Sequence, residues 1–169
     1  MSVSRESIPL TGIESISDLN AHRFHVDSVA RALEVLGDRW TFLILRECFF
    51  GVRRYGELAR NLGCSRTILT DRLRRLVEAG VLERRRYRAD RHEYRLTDAG
   101  LELYPAIVAI MRWGDEHLGD GQGPPLLLRH RSCGEDTDPT LVCSACGEPV
   151  SARDMEPHPG PGAATLQAR

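Results

Sequence analysis

Two constellations in this sequence carry chemistry. The first is made of arginine. Residues 53–95 hold thirteen arginines against six carboxylates, a local balance of +7 inside a chain whose formal net charge is −1. There is no lysine, so the chain's permanent side-chain cations are all guanidinium groups. That planar fork, charged at every physiological pH, suits phosphate oxygens and guanine edges. A block this dense reads as the footprint of a nucleic acid, although a solvated arginine-rich face is the plainer alternative. The second constellation is "HRSCGEDTDPTLVCSACGE", which sets His130, Cys133, Cys143 and Cys146 in a His-x2-Cys-x9-Cys-x2-Cys array. Donors at this knuckle-like spacing converge on tetrahedral zinc, and a ribbon with few apolar residues needs such a staple. Structural zinc is therefore expected. Reduced cysteines in a metal-free ribbon and a redox couple are the alternatives. Nothing suggests the carboxylate and open position of a catalytic zinc.

Other function classes recede. The N-terminal "MSVSRESIPLTG" lacks the layout of a signal peptide, and no apolar run is long enough to span a bilayer. Five cysteines, three of them packed between 133 and 146, fit a reducing compartment better than a disulfide scaffold. A cytoplasmic protein is expected. No nucleophile elbow, phosphate loop or zinc-protease helix occurs, so no enzyme is expected. His22, His25 and His92 have no spaced partners and read as surface residues, with His92 also within reach of a phosphate beside the hairpin.

The elements that must position the arginines follow from periodicity. Residues 1–25 show no sustained period and read as an arm. Asp27 or Ser28 can cap a helix carrying Val29, Leu33 and Leu36, which Gly37 ends. Asp38 caps "RWTFLILRECFF", apolar nearly all round and so central to a core, up to Gly51. "YGELARNLG" is a short third helix burying Leu58, Ala59 and Leu62. Ser65 is a good N-cap for a fourth helix running to about Ala79. Ile68, Leu69, Leu73 and Leu76 share one face of it, and Thr67, Thr70, Asp71, Arg74 and Glu78 the opposite one. "VLERRRY" and "HEYRL" alternate as two strands about the polar turn "RADR", and Thr97 caps a long final helix.

That order is a mainly α fold with a small β-hairpin, a winged helix-turn-helix over residues 26–118. A small Cys-rich ribbon over 126–156 and a flexible tail over 157–169 follow it. A helix in the major groove needs short polar side chains at base edges and cations near phosphates. Arg66, Thr67 and Thr70 are placed for base edges, and Arg74 and Arg75, further along, for phosphate. Arg72 flanks the buried face, where it either meets phosphate at the rim or pairs internally with Asp or Glu. Ser65 and Asp71 complete the helix's contribution. In the wing, Arg84, Arg86, Arg88 and Arg91 are expected to fix register on phosphates. Arg53 and Arg54 either add contacts at the edge or are simple turn residues.

The last helix bears on assembly. Leu101, Tyr104, Val108, Met111 and Leu118 fall near a heptad seam with Trp113 beside it, and Pro105 should bend the rod. The stripe either packs on its own domain or, the favoured reading, pairs two chains. A two-fold dimer implies an inverted-repeat DNA site.

"VARALEVLGDRWTFLILRE", "RRYGELARNLGCSRTILTDRLRRLVEAGVLERRRY", "HEYRLTDAGLELYP" and "WGDEHL" together resemble the HxlR-type transcriptional regulators, over about residues 26–118. Gly-x-Arg-Trp, Arg-Tyr-Gly-Glu-Leu and Tyr-x-Leu-Thr-x-x-Gly occur in order. The resemblance implies a homodimeric regulator of double-stranded DNA, often answering oxidants, electrophiles or small effectors. Several relatives carry a sensing cysteine where this chain has Asp27, which puts that mechanism in doubt here. Cys64, just before the fourth helix, either senses oxidants or is a small buried hydrophobe, and Cys48 sits inside an apolar helix. The expected function is a homodimeric, sequence-specific regulator, a repressor of an inverted-repeat operator. The alternative is a winged-helix, zinc-ribbon adaptor that binds proteins in transcription.

Overall fold

The computed structural model describes residues 28–157, which divide into two compact units. One is residues 32–139; the other, among described residues, is 28–31 with 140–157. The arm at 1–25, Asp27 and most of the tail lie outside the described residues.

Short polar side chains and glycines punctuate the helices. Helix α1 (Ser28–Leu36) stops at Gly37, where a Cβ would lie 2.3 Å from the Leu33 carbonyl oxygen. Helix α2 (Arg39–Phe49) starts from Asp38, whose carboxylate accepts from the amides of Trp40 (2.9 Å) and Thr41 (3.2 Å). Helix α3 (Tyr55–Leu62) ends at Gly63 in the left-handed region, φ 62°. Helix α4 (Arg66–Glu78) is capped by Ser65 Oγ, which accepts from the Ile68 amide at 3.3 Å. Strands β1 (Leu82–Arg88) and β2 (Arg91–Leu96) pair antiparallel, with a register shift between Arg86 and Arg88. The hairpin turn is Ala89-Asp90.

Leu69, Leu73 and Leu76 of α4 close onto Ile44 and Leu45 of α2, Leu58 of α3 and Leu82 of β1, all essentially inaccessible to water. The predicted core face of the fourth helix is therefore the real one, with Ile68 only partly covered. This is the winged helix-turn-helix the periodicity predicts.

The hairpin is bolted to the helices at both ends. The Tyr94 amide donates to the Arg53 carbonyl at 2.8 Å, tying β2 to the lead-in of α3. Thr97 donates its hydroxyl to the Gly80 carbonyl at 2.6 Å and accepts from the Gly100 amide at 3.1 Å. One side chain thus joins the end of α4, the end of β2 and the next helix. Gly100 packs so closely that a Cβ would lie 2.2 Å from the Val81 carbonyl oxygen.

The long final helix needs correction. Pro105 does not bend one rod; the chain breaks into α5 (Asp98–Leu101) and α6 (Tyr104–Leu118), with Pro105 in the first turn of α6. A proline has no N–H and its ring crowds the carbonyl four residues back, so it is tolerated best at a helix start. The expected seam splits accordingly. Val108 is buried and Met111 half-buried, while Leu101 (52% exposed), Trp113 (56%) and Leu118 (74%) stay outside. Ile107, not part of that seam, fills the core beside them, and Ile110 is exposed.

Beyond α6, the short strands β3 (Leu128–Arg129) and β4 (Asp136–Thr137) form a hairpin in the first unit. In the second unit an isolated bridge joins Val142 and Pro149. The boundary at 139/140 falls inside the span read as one ribbon.

Candidate nucleic-acid interface

Helix α4 and the wing carry the arginine block, but its charges are not equally available. Asp71 sits at the middle of α4 and gathers three guanidinium groups. Its Oδ1 takes Arg74 at 2.8 Å, and its Oδ2 takes Arg75 at 3.0 Å and also Arg72. Arg74 reaches on to Glu78 at 2.8 Å. The spacings are one, three and four residues, and the last two are those at which helix side chains meet. The hydrogen bond from Arg74 holds the Asp71 carboxyl below the usual carboxylate range, outweighs a small burial cost, and is helped by the charges of Arg75, Arg74 and Arg72. The Arg74 guanidinium is correspondingly shifted up by its bonds to Asp71 and Glu78.

Arg72 turns inward. Its Nε lies 2.6 Å from Asp38 Oδ2 at the start of α2, a charge contact whose N–H is not aimed at the oxygen. Burial pushes the Asp38 carboxyl up, but the Thr41 side chain and amide, the Trp40 amide and Arg72 together leave it below its ordinary value. Of the two readings of Arg72, the structure supplies the internal pair.

The first turn of α4 is open. Arg66 and Thr67 are exposed, and neither side chain has a partner among the described residues. Thr70 is exposed too, yet its hydroxyl lies 3.2 Å from the Tyr55 hydroxyl, which also donates to the Arg66 carbonyl at 3.3 Å. Tyr55 therefore braces α4 from α3.

In the wing, Arg84, Arg85, Arg86, Arg88 and Arg91 are all exposed and have no carboxylate partner among the described residues. Arg84 and Arg86 share a face with His92, and Arg84 lies 3.2 Å from His92 Nδ1. The register shift then sets Arg88 opposite Arg91, so strict alternation does not continue to the tip. Arg54 covers the Tyr87 ring at 5.3 Å and pairs with Glu57 at 3.5 Å, while Arg53 is exposed. Within the block, Arg53, Arg60, Arg66 and the wing arginines are exposed without a carboxylate partner among the described residues, while Arg74 and Arg75 stay exposed but ion-paired. The sequence reading missed Asp71 as a hub, although its spacing to Arg74 and Arg75 was the signal.

A family model described as HxlR-like helix-turn-helix matches residues 35–122. The chain belongs to this family. Relatives agree with it over more of the chain. Proteins named HTH-type transcriptional regulators in Mycobacterium tuberculosis and Mycobacterium bovis are 59% identical over 150 residues, 88% of this chain and 94% of theirs. The crystal structure of the transcription factor PA1607 superposes with a TM-score of 0.71 at 36% identity, covering 82% of this chain and 98% of that one. That of the Pseudomonas aeruginosa transcription factor PA1374 gives 0.56 at 34%, covering 79% and 92%. This HxlR-like chain is a DNA-binding, helix-turn-helix transcriptional regulator, from a family of regulators rather than enzymes. No helix among the described residues is long and apolar enough to cross a membrane.

The HxlR motifs prove to be braces. Gly37, Asp38 and Trp40 start α2, with Arg39 stacked 4.3 Å from the Trp40 ring. Tyr55 holds α4, and Thr97 with Gly100 locks the wing.

The cysteines fall into separate settings. Burial, with the charge of Glu47, pushes the Cys48 thiol up to about 12, so at neutral pH it stays protonated. Cys64 is half-buried beside the core. His130–Glu135 and Cys143–Glu148 fold into the same turn. In the first, the His130 amide donates to Glu135 (2.9 Å) and the Gly134 amide to His130 (2.8 Å), with Gly134 at φ 78°. In the second, the Cys143 amide donates to Glu148 (2.8 Å) and the Gly147 amide to Cys143 (2.8 Å), with Gly147 at φ 79°. The first turn brings Cys133 Sγ to 3.4 Å from His130 Nδ1. In the second, the amides of Cys146 and Ala145, then the Cys146 thiol, lower the Cys143 thiol. Among the described residues no three His, Cys, Asp or Glu side chains are drawn together as metal ligands.

Proposed function

We propose that this regulator is a homodimeric, sequence-specific repressor that acts in the cytoplasm on an inverted-repeat operator. The observation that carries the reading is a set of exposed guanidinium groups with no carboxylate partner among the described residues, Arg66 at the start of α4 and Arg84, Arg86, Arg88 and Arg91 of the wing. Arg66 and Thr67 are the groups left to read base edges, and the wing supplies phosphate contacts. Exposed Leu101, Ile110, Trp113 and Leu118 on α5 and α6 support pairing of two chains through that side. The test is fluorescence anisotropy of the full chain on its own upstream DNA against scrambled duplex. Wild type should prefer the former and lose affinity steeply with salt, and Arg66→Ala with Arg86→Ala should remove binding while leaving the circular dichroism unchanged. A double variant that binds normally refutes the interface.

Zinc is proposed as a structural cofactor held by His130, Cys133, Cys143 and Cys146. Support comes from the two matching turns, each presenting two soft or borderline donors, four being the number a structural zinc takes. Protein purified without added metal should contain about one zinc per chain by mass spectrometry, and Cys143→Ser with Cys146→Ser should lose it. Metal-free wild type refutes the assignment.

A further inference from the structure

The helical unit also has a cavity of about 360 Å³ between α6 and the chain that follows it. Val108 and Met111 give its apolar wall on α6, and Pro124, Leu126, Leu127 and Leu128 the wall opposite. That volume lies at the small end of the range for ligand sites, about 300–1,000 Å³. One guanidinium, Arg112, and three carboxylates, Asp115, Glu116 and Asp138, stand in the lining. Arg112 is already engaged: its Nε pairs with Asp138 at 2.5 Å, and it donates to the Pro139 carbonyl at 3.2 Å. Asp115 and Glu116 have no side-chain partner among the described residues. The cavity thus combines hydrocarbon walls with two unmatched negative charges.

We propose that this cavity is a small-molecule site for apolar organic cations, compact ammonium compounds with a hydrocarbon body. An anion of the same shape would meet repulsion from both carboxylates. A neutral molecule would strip water from them and return nothing. A cation gains the apolar contact and the charge pairing together. Six lining residues lie beyond residue 122, where the family match ends, so the site belongs to this chain's extension rather than to the shared domain. The proposal is independent of the DNA reading.

The experiment titrates the full chain with benzyltrimethylammonium by saturation-transfer NMR. Neopentylbenzene, with carbon in place of nitrogen, serves as the neutral isostere and phenylmethanesulfonate as the anion. The ammonium should bind in the millimolar range expected of about eleven heavy atoms. The neutral isostere should bind at least about three-fold more weakly and the sulfonate not measurably, the order that pairing with a partly exposed carboxylate implies. Asp115→Asn with Glu116→Gln should make the ammonium no better than the isostere, and Leu127→Ser should weaken both. The single variants D115N and E116Q replace the double one if its circular dichroism shows unfolding. Equal affinity for ammonium and isostere overturns the proposal, as do a tighter sulfonate, unaltered ammonium binding in the carboxylate variants, or no binding to folded wild type.

Discussion

Replacing Asp71 by Asn removes the carboxylate that Arg72, Arg74 and Arg75 share while keeping the side chain's shape. The three arginines are not released equally. Arg72 retains Asp38 and Arg74 retains Glu78, whereas Arg75 has no other carboxylate partner. D71N should therefore free about one guanidinium for phosphate, two if Arg74 leaves Glu78 as well. Each phosphate neutralised steepens the plot of log affinity against log salt by about 0.9. Over a four-fold rise in salt, one added contact costs a further factor of about 3.5 in affinity. D71N should thus bind scrambled duplex more tightly than wild type at ~50 mM salt, with an advantage that shrinks about 3.5-fold by ~200 mM. Anisotropy titrations at four or five salt concentrations read both quantities. Because its neighbours hold the Asp71 carboxyl below its ordinary range, wild type should show no comparable gain on mild acidification. If the slope and the non-specific affinity of D71N match wild type, Asp71 does not restrain these arginines. If operator binding falls while non-specific binding rises, Asp71 also reads a base, as a carboxylate accepting from cytosine would.

Gly100→Ala places a methyl group 2.2 Å from the Val81 carbonyl oxygen, so urea melts should show a loss of at least about 1–3 kcal/mol. Asp38→Ala removes the α2 cap and should cost about 1 kcal/mol at pH 7. Because the folded Asp38 carboxyl is depressed, its contribution is present above the unfolded value near ~3.9 and disappears as pH falls through the folded one. Stability of wild type and variant should therefore converge on acidification, and a constant gap would exclude the ionised cap as its source. If two chains pair through α6 as proposed, Trp113→Glu should convert the sedimenting dimer to monomer while changing monomer stability by less than about 0.5 kcal/mol, since the ring is exposed; an unchanged sedimentation coefficient refutes the pairing.

Part of this fold was legible in periodicity because α2 and α4 begin at side-chain caps and α4 buries one face. Ser65, Leu69, Leu73, Leu76 and Gly80 mark the fourth helix without help from the rest of the chain. Long-range geometry was not legible. No pattern within α4 shows that Arg72 meets Asp38, more than thirty positions earlier, so its two readings stood level until the helices were placed together. Helical angle sorts side chains into faces but does not show that Arg74 and Arg75, both still exposed, fold back onto Asp71. The final helix failed for another reason. A heptad count treats α5 and α6 as one rod, whereas the break ahead of Pro105 resets the phase. Val108 then turns inward beside Ile107, leaving Ile110 and Trp113 outside.

The division of labour between motif and interface follows from these contacts. Asp38, Tyr55, Thr97 and Gly100 each touch two or more elements of the domain. Altering any of them moves α4 or the wing as a body, and so would disturb every operator alike. The side chains of Arg66 and Thr67 make no hydrogen bond or ion pair among the described residues, so changes there should leave the frame in place and alter only what the first turn meets. On the proposed interface, sequence preference would therefore lie at those positions, with Asp71 setting how much indiscriminate phosphate attraction accompanies it. A chain carrying the Arg66 and Thr67 of another operator's regulator should acquire part of that preference with its melting curve unchanged. The same exchange at Tyr55 or Thr97 should change the melting curve first.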